Sequence, residues 1–136
     1  MSFDVFLNFD GDCRAAIEFY VEVFKLDMPE SIMTYGEAPG FSGEGADRII
    51  YASLPIFGCN VMFSDCPPNS GYVKGTNIAL TLGSTDADEI KRLYSALSND
   101  GYINMELGKT FFSELYCMVT DKFGITWQLS LTAFED

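Results

Sequence analysis

Apolar and polar residues alternate along FDVFLNF (3–9), which sets Phe3, Val5, Leu7 and Phe9 on one side of an extended chain and predicts a strand. Asp10-Gly11-Asp12 interrupts it. In CRAAIEFYVEVFK the period lengthens: Ala16, Ile17, Tyr20, Val23 and Phe24 fall on one side of a helix, with Asp12 expected as its N-cap. The same succession returns at 76–98. TNIALTL alternates through Ile78, Leu80 and Leu82, and Asp86 stands three residues before Glu89, close to a capping box. Ile90, Leu93, Tyr94 and Leu97 follow at helical spacing, and Asn99-Asp100-Gly101 ends the helix. Three strand candidates follow each helix: about 30–36, 48–54 and 59–65 in the first half, and 103–107, 115–121 and 125–131 in the second.

The last strands of the two halves echo each other. FGCNVMFS (57–64) and FGITWQLS (123–130) share Phe-Gly, a closing Ser and apolar residues at matching places, so Met62 corresponds to Gln128. The chain is thus expected to be one α+β domain of two βαβββ modules, the first about 1–66 and the second about 72–132, joined by PPNSG (67–71). The first half carries an insertion, YGEAPGFSGEGAD (35–47), rich in glycine and acidic residues. Such a loop reads either as a lid or rim over a site or as a disordered segment.

Charge narrows the partners. Twenty Asp and Glu against eight Lys and Arg give a formal charge of -12, which repels nucleic acid and anionic membrane alike. There is no apolar leader and no long apolar run, and Cys13, Cys59, Cys66 and Cys117 show no C-x-x-C pair, so free thiols in the cytoplasm are expected. Histidine is absent altogether. That removes the Ser-His and Cys-His dyads, the imidazole base and the histidine metal ligand.

The stretches LNFDGDCRAAIEFYVEVF (7–24), VMFSD (61–65) and VTDKFGITW (119–127) resemble the PhnB-like branch of the vicinal oxygen chelate superfamily, which includes glyoxalase I, extradiol dioxygenases and bleomycin-resistance proteins. The resemblance spans nearly the whole chain. The methyltransferase name often attached to that branch is not carried over. The resemblance implies half-open mixed sheets around a cavity, a homodimer, and, in metal-dependent members, His, Glu or Gln ligands on the first and last strands of each module. Those positions correspond here to Val5 (or Asp4), Met62, Asn77 and Gln128. Only Asn77 and Gln128 offer a usable oxygen, both neutral, and Met62 offers a thioether that a hard cation ignores. The expectation is that no metal cofactor is held, although a weakly bound divalent ion stays open. Inner-strand histidines of PhnB-like relatives correspond to Tyr51 and Glu114.

Two functional readings follow. In the first the chain binds an unknown small, partly aromatic molecule, as bleomycin-resistance relatives do, with Gln128, Asn77, Met62, Tyr51 and Phe112 as contacts. In the second it is a lyase, isomerase or group-transfer enzyme on a small oxygenated substrate. Glu114, set beside Phe111 and Phe112 in FFSELYC, would then be a desolvated base, with Tyr51 or Gln128 as electrophilic support. A scaffold without a ligand is a third reading. The bland alternatives are a solvated Glu114 at a strand start and a Tyr51 that merely fills an inward position. Cys13, near a helix N-terminus, is open to a lowered pKa, and the acidic 35–47 loop lacks EF-hand spacing.

Overall fold

The computed structural model describes residues 1–41 and 43–133; Ser42, within the acidic loop, and residues 134–136 lie outside them. The chain divides into two compact units, Met1–Val73 and Lys74–Asp136. The first contains β1 (Val5–Phe9), α1 (Cys13–Phe24), β2 (Met33–Thr34), β3 (Ile49–Ile56) and β4 (Cys59–Asp65). The second contains β5 (Leu80–Ser84), α2 (Ala87–Ser98), β6 (Tyr102–Gly108), β7 (Tyr116–Thr120) and β8 (Thr126–Leu131). Each unit is βαβββ and the fold class is α+β.

The sheet orders are β1-β4-β3-β2 and β5-β8-β7-β6. In each, the first and last strands run parallel while the other neighbours are antiparallel. The ladder decides where strands begin. The first pairs are Val5 with Val61 and Leu80 with Trp127, so Phe3 and Ile78 precede their strands and stay exposed, against the longer alternation read from the sequence. β2 likewise shrinks to Met33 and Thr34, with a bulge against β3.

One face of each sheet packs on its helix. In the first unit Leu7, Phe9, Ala52, Leu54, Val61 and Phe63 are buried with Ala16, Ile17, Tyr20 and Val23 of α1. The Tyr20 and Phe63 rings lie 5.9 Å apart. In the second, Trp127, Leu129, Cys117 and Val119 are buried with Ile90, Leu93 and Leu97 of α2. Burying each large apolar side chain of this kind stabilises by ~1.5–3 kcal/mol.

The helix starts differ. Asp86 caps α2 as expected, its carboxylate accepting from the Asp88 and Glu89 amides at 3.0 and 3.4 Å. Asp12 occupies the N-cap position of α1, but its side chain makes no capping bond. Asp65, at the end of β4, replaces it. One of its oxygens accepts from the Gly11 and Cys13 amides at 2.7 and 3.0 Å, and the other from Ile49 N–H at 2.9 Å. The stretches GDC and VMFSD are therefore halves of one staple, and Gly11 takes its φ of +97° beside it.

The Phe-Gly echo conceals two different turns. Phe57 and Gly58 both have positive φ, +47° and +80°, and close a two-residue hairpin between Ile56 and Cys59. Phe123-Gly124 instead sits in a five-residue connection between Thr120 and Thr126. Asp121 organises that connection: Oδ1 accepts from Phe123 and Ile125 N–H at 2.9 and 3.1 Å, and Oδ2 from the Trp127 indole at 2.9 Å. The described part of the acidic loop is tied back. Tyr35 donates its hydroxyl to the Asp65 carbonyl at 2.8 Å, Gly36 N–H reaches Ala46 O at 2.8 Å, and the Tyr35 and Phe41 rings lie 5.4 Å apart. Among the described residues no helix is long and apolar enough to cross a membrane.

Candidate functional site

Because side chains alternate along a strand, the sheet face opposite each helix carries the intervening positions. In the first unit the register aligns Phe6 with Met62 and Met62 with Ser53, and sets Asn8 beside Ser64. Ser64 donates its hydroxyl to Asn8 Oδ1 at 3.0 Å. Tyr51 stands on the same face next to Met33 of β2, with its ring edge-on to Phe6 at 6.5 Å. This face presents rings and thioethers with two small hydroxyls.

The second unit repeats the arrangement with different chemistry. Thr81 aligns with Gln128, Gln128 with Met118, and Met118 with Met105. One row away, the Thr120 hydroxyl donates to Asn104 Oδ1 at 3.0 Å and lies 3.0 Å from the Thr126 hydroxyl. In the other direction Ser130 stands beside Tyr116. Trp127 is 1% exposed on the helix side, so Gln128 turns to the open face. The face is hydroxylic and amidic where that of the first unit is aromatic.

The predicted site residues distribute unevenly over this frame. Met62 and Tyr51 come together on the first open face, and Gln128 lies on the second. Val5 pairs with Val61 and so shares the helix side of β1; Asn77 precedes β5 and is exposed. The open-face residues of the two first strands are Phe6, Asn8, Thr81 and Gly83, because a shift of one residue reverses the face. Glu114 lies two residues before β7 rather than on it, 74% exposed, with its carboxylate 3.4 Å from Lys109 Nζ. Phe112 is exposed beside it, its ring 5.0 Å from that of Tyr116. Sequence reading missed Phe6, Thr81, Met118 and Tyr116. Counting back from Met62 and Gln128 across the parallel pairs would have found the first two.

One open cavity adjoins the first of these faces, and another lies elsewhere in the second unit. The first, of about 600 Å³, runs between the segment after α1 and β3, with Lys25, Asp27, Glu30, Tyr51 and Ser53 along it. The other, of about 550 Å³, lies between Lys109–Glu114 and Leu131–Ala133.

The donors at the family's metal positions do not fit a hard divalent ion. The open faces there offer amides, hydroxyls and a thioether, whereas such an ion selects carboxylates or imidazoles. Among the described residues no group of three or more Cys, Asp or Glu is placed to hold a metal. The two buried thiols are equally unsuited to nucleophilic chemistry. Burial pushes the Cys117 thiol up to about 11, and burial, reinforced by Asp65, raises that of Cys13 as well, against the lowering that its place near a helix start suggested.

These thiols carry a pH prediction. The folded chain holds the Cys117 proton up to about 11 while the unfolded chain releases it near the ordinary value of 9.0. Stability is therefore intact below pH 9 and falls as pH rises from there towards 11, by about 1.4 kcal/mol per pH unit for each such thiol. Urea midpoints at pH 8, 9 and 10 should decline less steeply in Cys117→Ala than in the parent chain. Parallel declines would contradict the assignment.

The comparisons agree with this architecture. A family model described as Glyoxalase/Bleomycin resistance protein/Dioxygenase superfamily matches residues 2–129. Protein YjdN of Escherichia coli K12 is 30% identical over 142 residues, covering 96% of this chain and 95% of YjdN. The crystal structure of PA1353 from Pseudomonas aeruginosa has a TM-score of 0.87 at 28% identity, covering 96% of this chain and 97% of that one. The PhnB protein from Bacillus cereus, described as a putative 3-demethylubiquinone-9 3-methyltransferase, has a TM-score of 0.82 at 28% identity, covering 97% of this chain and 100% of that one. With its two βαβββ units and open mixed sheets, the chain belongs to the glyoxalase/bleomycin resistance protein/dioxygenase superfamily and has PhnB-like neighbours within it.

Proposed function

We propose that the chain binds a small, partly aromatic molecule on the open faces of its sheets, without the family's metal and without catalysing a reaction. One observation carries this reading. The aligned rows of both faces hold rings, thioethers, amides and hydroxyls, Phe6–Met62–Ser53 and Thr81–Gln128–Met118–Met105, and no charged or nucleophilic side chain. Such a surface stacks on and hydrogen-bonds to a ligand but has no group to move a proton near neutral pH. The enzymatic reading needs a desolvated base. The exposure of Glu114 and its pairing with Lys109 weigh against that role. The methyltransferase activity suggested for the Bacillus cereus relative gains no support from these rows.

The working form we propose is a cytoplasmic homodimer with no nucleic acid or membrane partner. The acidity of the chain supports the exclusion of those partners, and its four free cysteines support a reducing compartment. Size measurement on the purified protein tests the dimer.

The deciding experiment pairs elemental analysis with ligand screening. After equilibration with Ni, Co, Mn, Zn and Mg and desalting, well under one ion per chain is expected. A thermal-shift screen of ring-bearing compounds should then yield hits that weaken in Gln128→Ala and Tyr51→Phe. One tightly held ion per chain would overturn the metal-free reading and return Gln128, Glu114 and Asn77 to the status of ligand candidates.

A further inference from the structure

The loop between β6 and β7 is stapled from within yet displays its apolar tip to water. Thr110 N–H donates to the Ser113 carbonyl at 2.9 Å and Ser113 N–H to Thr110 Oγ1 at 3.1 Å. The Ser113 hydroxyl, itself buried, lies 2.9 Å from both the Leu115 and the Leu131 carbonyls. On this pinned loop Phe111 is 101% exposed and its ring stands at 87° to Phe112, centroids 5.2 Å apart. Phe112 in turn meets Tyr116 edge-on. A lone exposed phenyl needs no explanation. Two in contact, on a fixed loop at the lip of a cavity of about 550 Å³, form a preorganised stacking edge.

The same lip carries one charge of each sign. Lys109 Nζ and Glu114 Oε2 are 3.4 Å apart, and their side chains are 71% and 74% exposed. So exposed an ion pair holds together weakly, and little is lost when a ligand inserts its own charges. A molecule with an ammonium and a carboxylate on one carbon could set the ammonium by Glu114 and the carboxylate by Lys109, closing a ring of alternating charges. A net anion would be repelled by a chain of formal charge -12, whereas a zwitterion is not.

We infer that the Lys109–Glu114 lip recognises the α-amino acid head of an aromatic zwitterion, with Phe111 and Phe112 against its ring. The inference rests on the small-molecule reading above and names the class of molecule and the end of the second unit that takes it.

The test uses the full chain and L-phenylalanine as the probe, titrated by NMR or calorimetry. Saturable binding is expected, about tenfold or more weaker for 3-phenylpropionate, for phenethylamine and for L-alanine, each of which lacks one of the three features. Phe111→Ala, Lys109→Gln and Glu114→Gln should weaken phenylalanine similarly; all three side chains are exposed, and circular dichroism verifies that the variants fold. Absence of saturation, or a single-charge analogue within about twofold of phenylalanine, would overturn the inference. Other hits that depend on Gln128 or Tyr51 would leave the broader reading standing while this one falls. If no compound of either kind binds, both fall.

Discussion

Asp121→Ala should lower the stability of the second unit by about 3–4 kcal/mol, because three N–H donors lose their acceptor at once. The carboxylate is buried and accepts from Phe123 N–H, Ile125 N–H and the Trp127 indole. Alanine leaves those donors facing a space from which water is largely excluded. Bonds that the turn makes for itself persist: Asp121 N–H to Ile125 O at 2.8 Å and Gly124 N–H to Asp121 O at 2.9 Å. That residue of structure keeps the loss below the sum of three orphaned groups. Asp121→Asn should cost less, about 1–3 kcal/mol, since the amide can keep its oxygen on the Phe123 and Ile125 N–H groups and turn its NH₂ to the indole alone. Trp127 is the sole tryptophan, so its emission follows the site directly during urea unfolding. A shift of under about 1 kcal/mol in Asp121→Ala, with emission unchanged, would show that the carboxylate does not hold the turn.

The companion effect belongs to the first unit. Asp65→Ala strips the acceptor from Gly11 N–H, Cys13 N–H and Ile49 N–H, and should cost about 3–4 kcal/mol by the same reasoning. It also frees the start of α1 from the end of β4, so the first-turn amides of that helix should exchange with solvent faster than the rest. Asp12→Ala is the contrasting variant. An N-cap aspartate ordinarily contributes about 1 kcal/mol, but here its carboxylate makes no capping bond, so a loss of less than about 0.5 kcal/mol is expected. Far-ultraviolet dichroism in urea compares the two. If Asp12→Ala were the more damaging, the helix would be capped from its own sequence after all.

Both aspartates lie in the stretches that carry the family resemblance, VMFSD and VTDKFGITW. Each has a structural task there: it satisfies backbone amides where a strand hands over to a turn or a helix. The motifs thus speak for the fold and not for a ligand.

The alternation of apolar residues was enough to place both helices, the closing strand of each unit and the order of elements. It sufficed because these features depend on neighbours within one or two turns of chain. Asp86 was legible as a cap for the same reason, its two partners lying two and three residues away. What depended on distant partners was not legible. The cap of α1 comes from a carboxylate 52 residues beyond Cys13, and Asp12, correctly spaced, is passed over. The two Phe-Gly pairs look alike in sequence, yet one closes a two-residue hairpin and the other lies in a loop held by Asp121 and Trp127. The strand starts were set by where a parallel partner existed, which moved the first-strand open-face positions from Val5 and Asn77 to Phe6 and Thr81. Glu114 falls in the loop before β7, exposed and outside any strand. Hydrophobic period is written in consecutive residues, whereas the choice of acceptor for a buried N–H, and of face for a side chain, waits until separated strands meet.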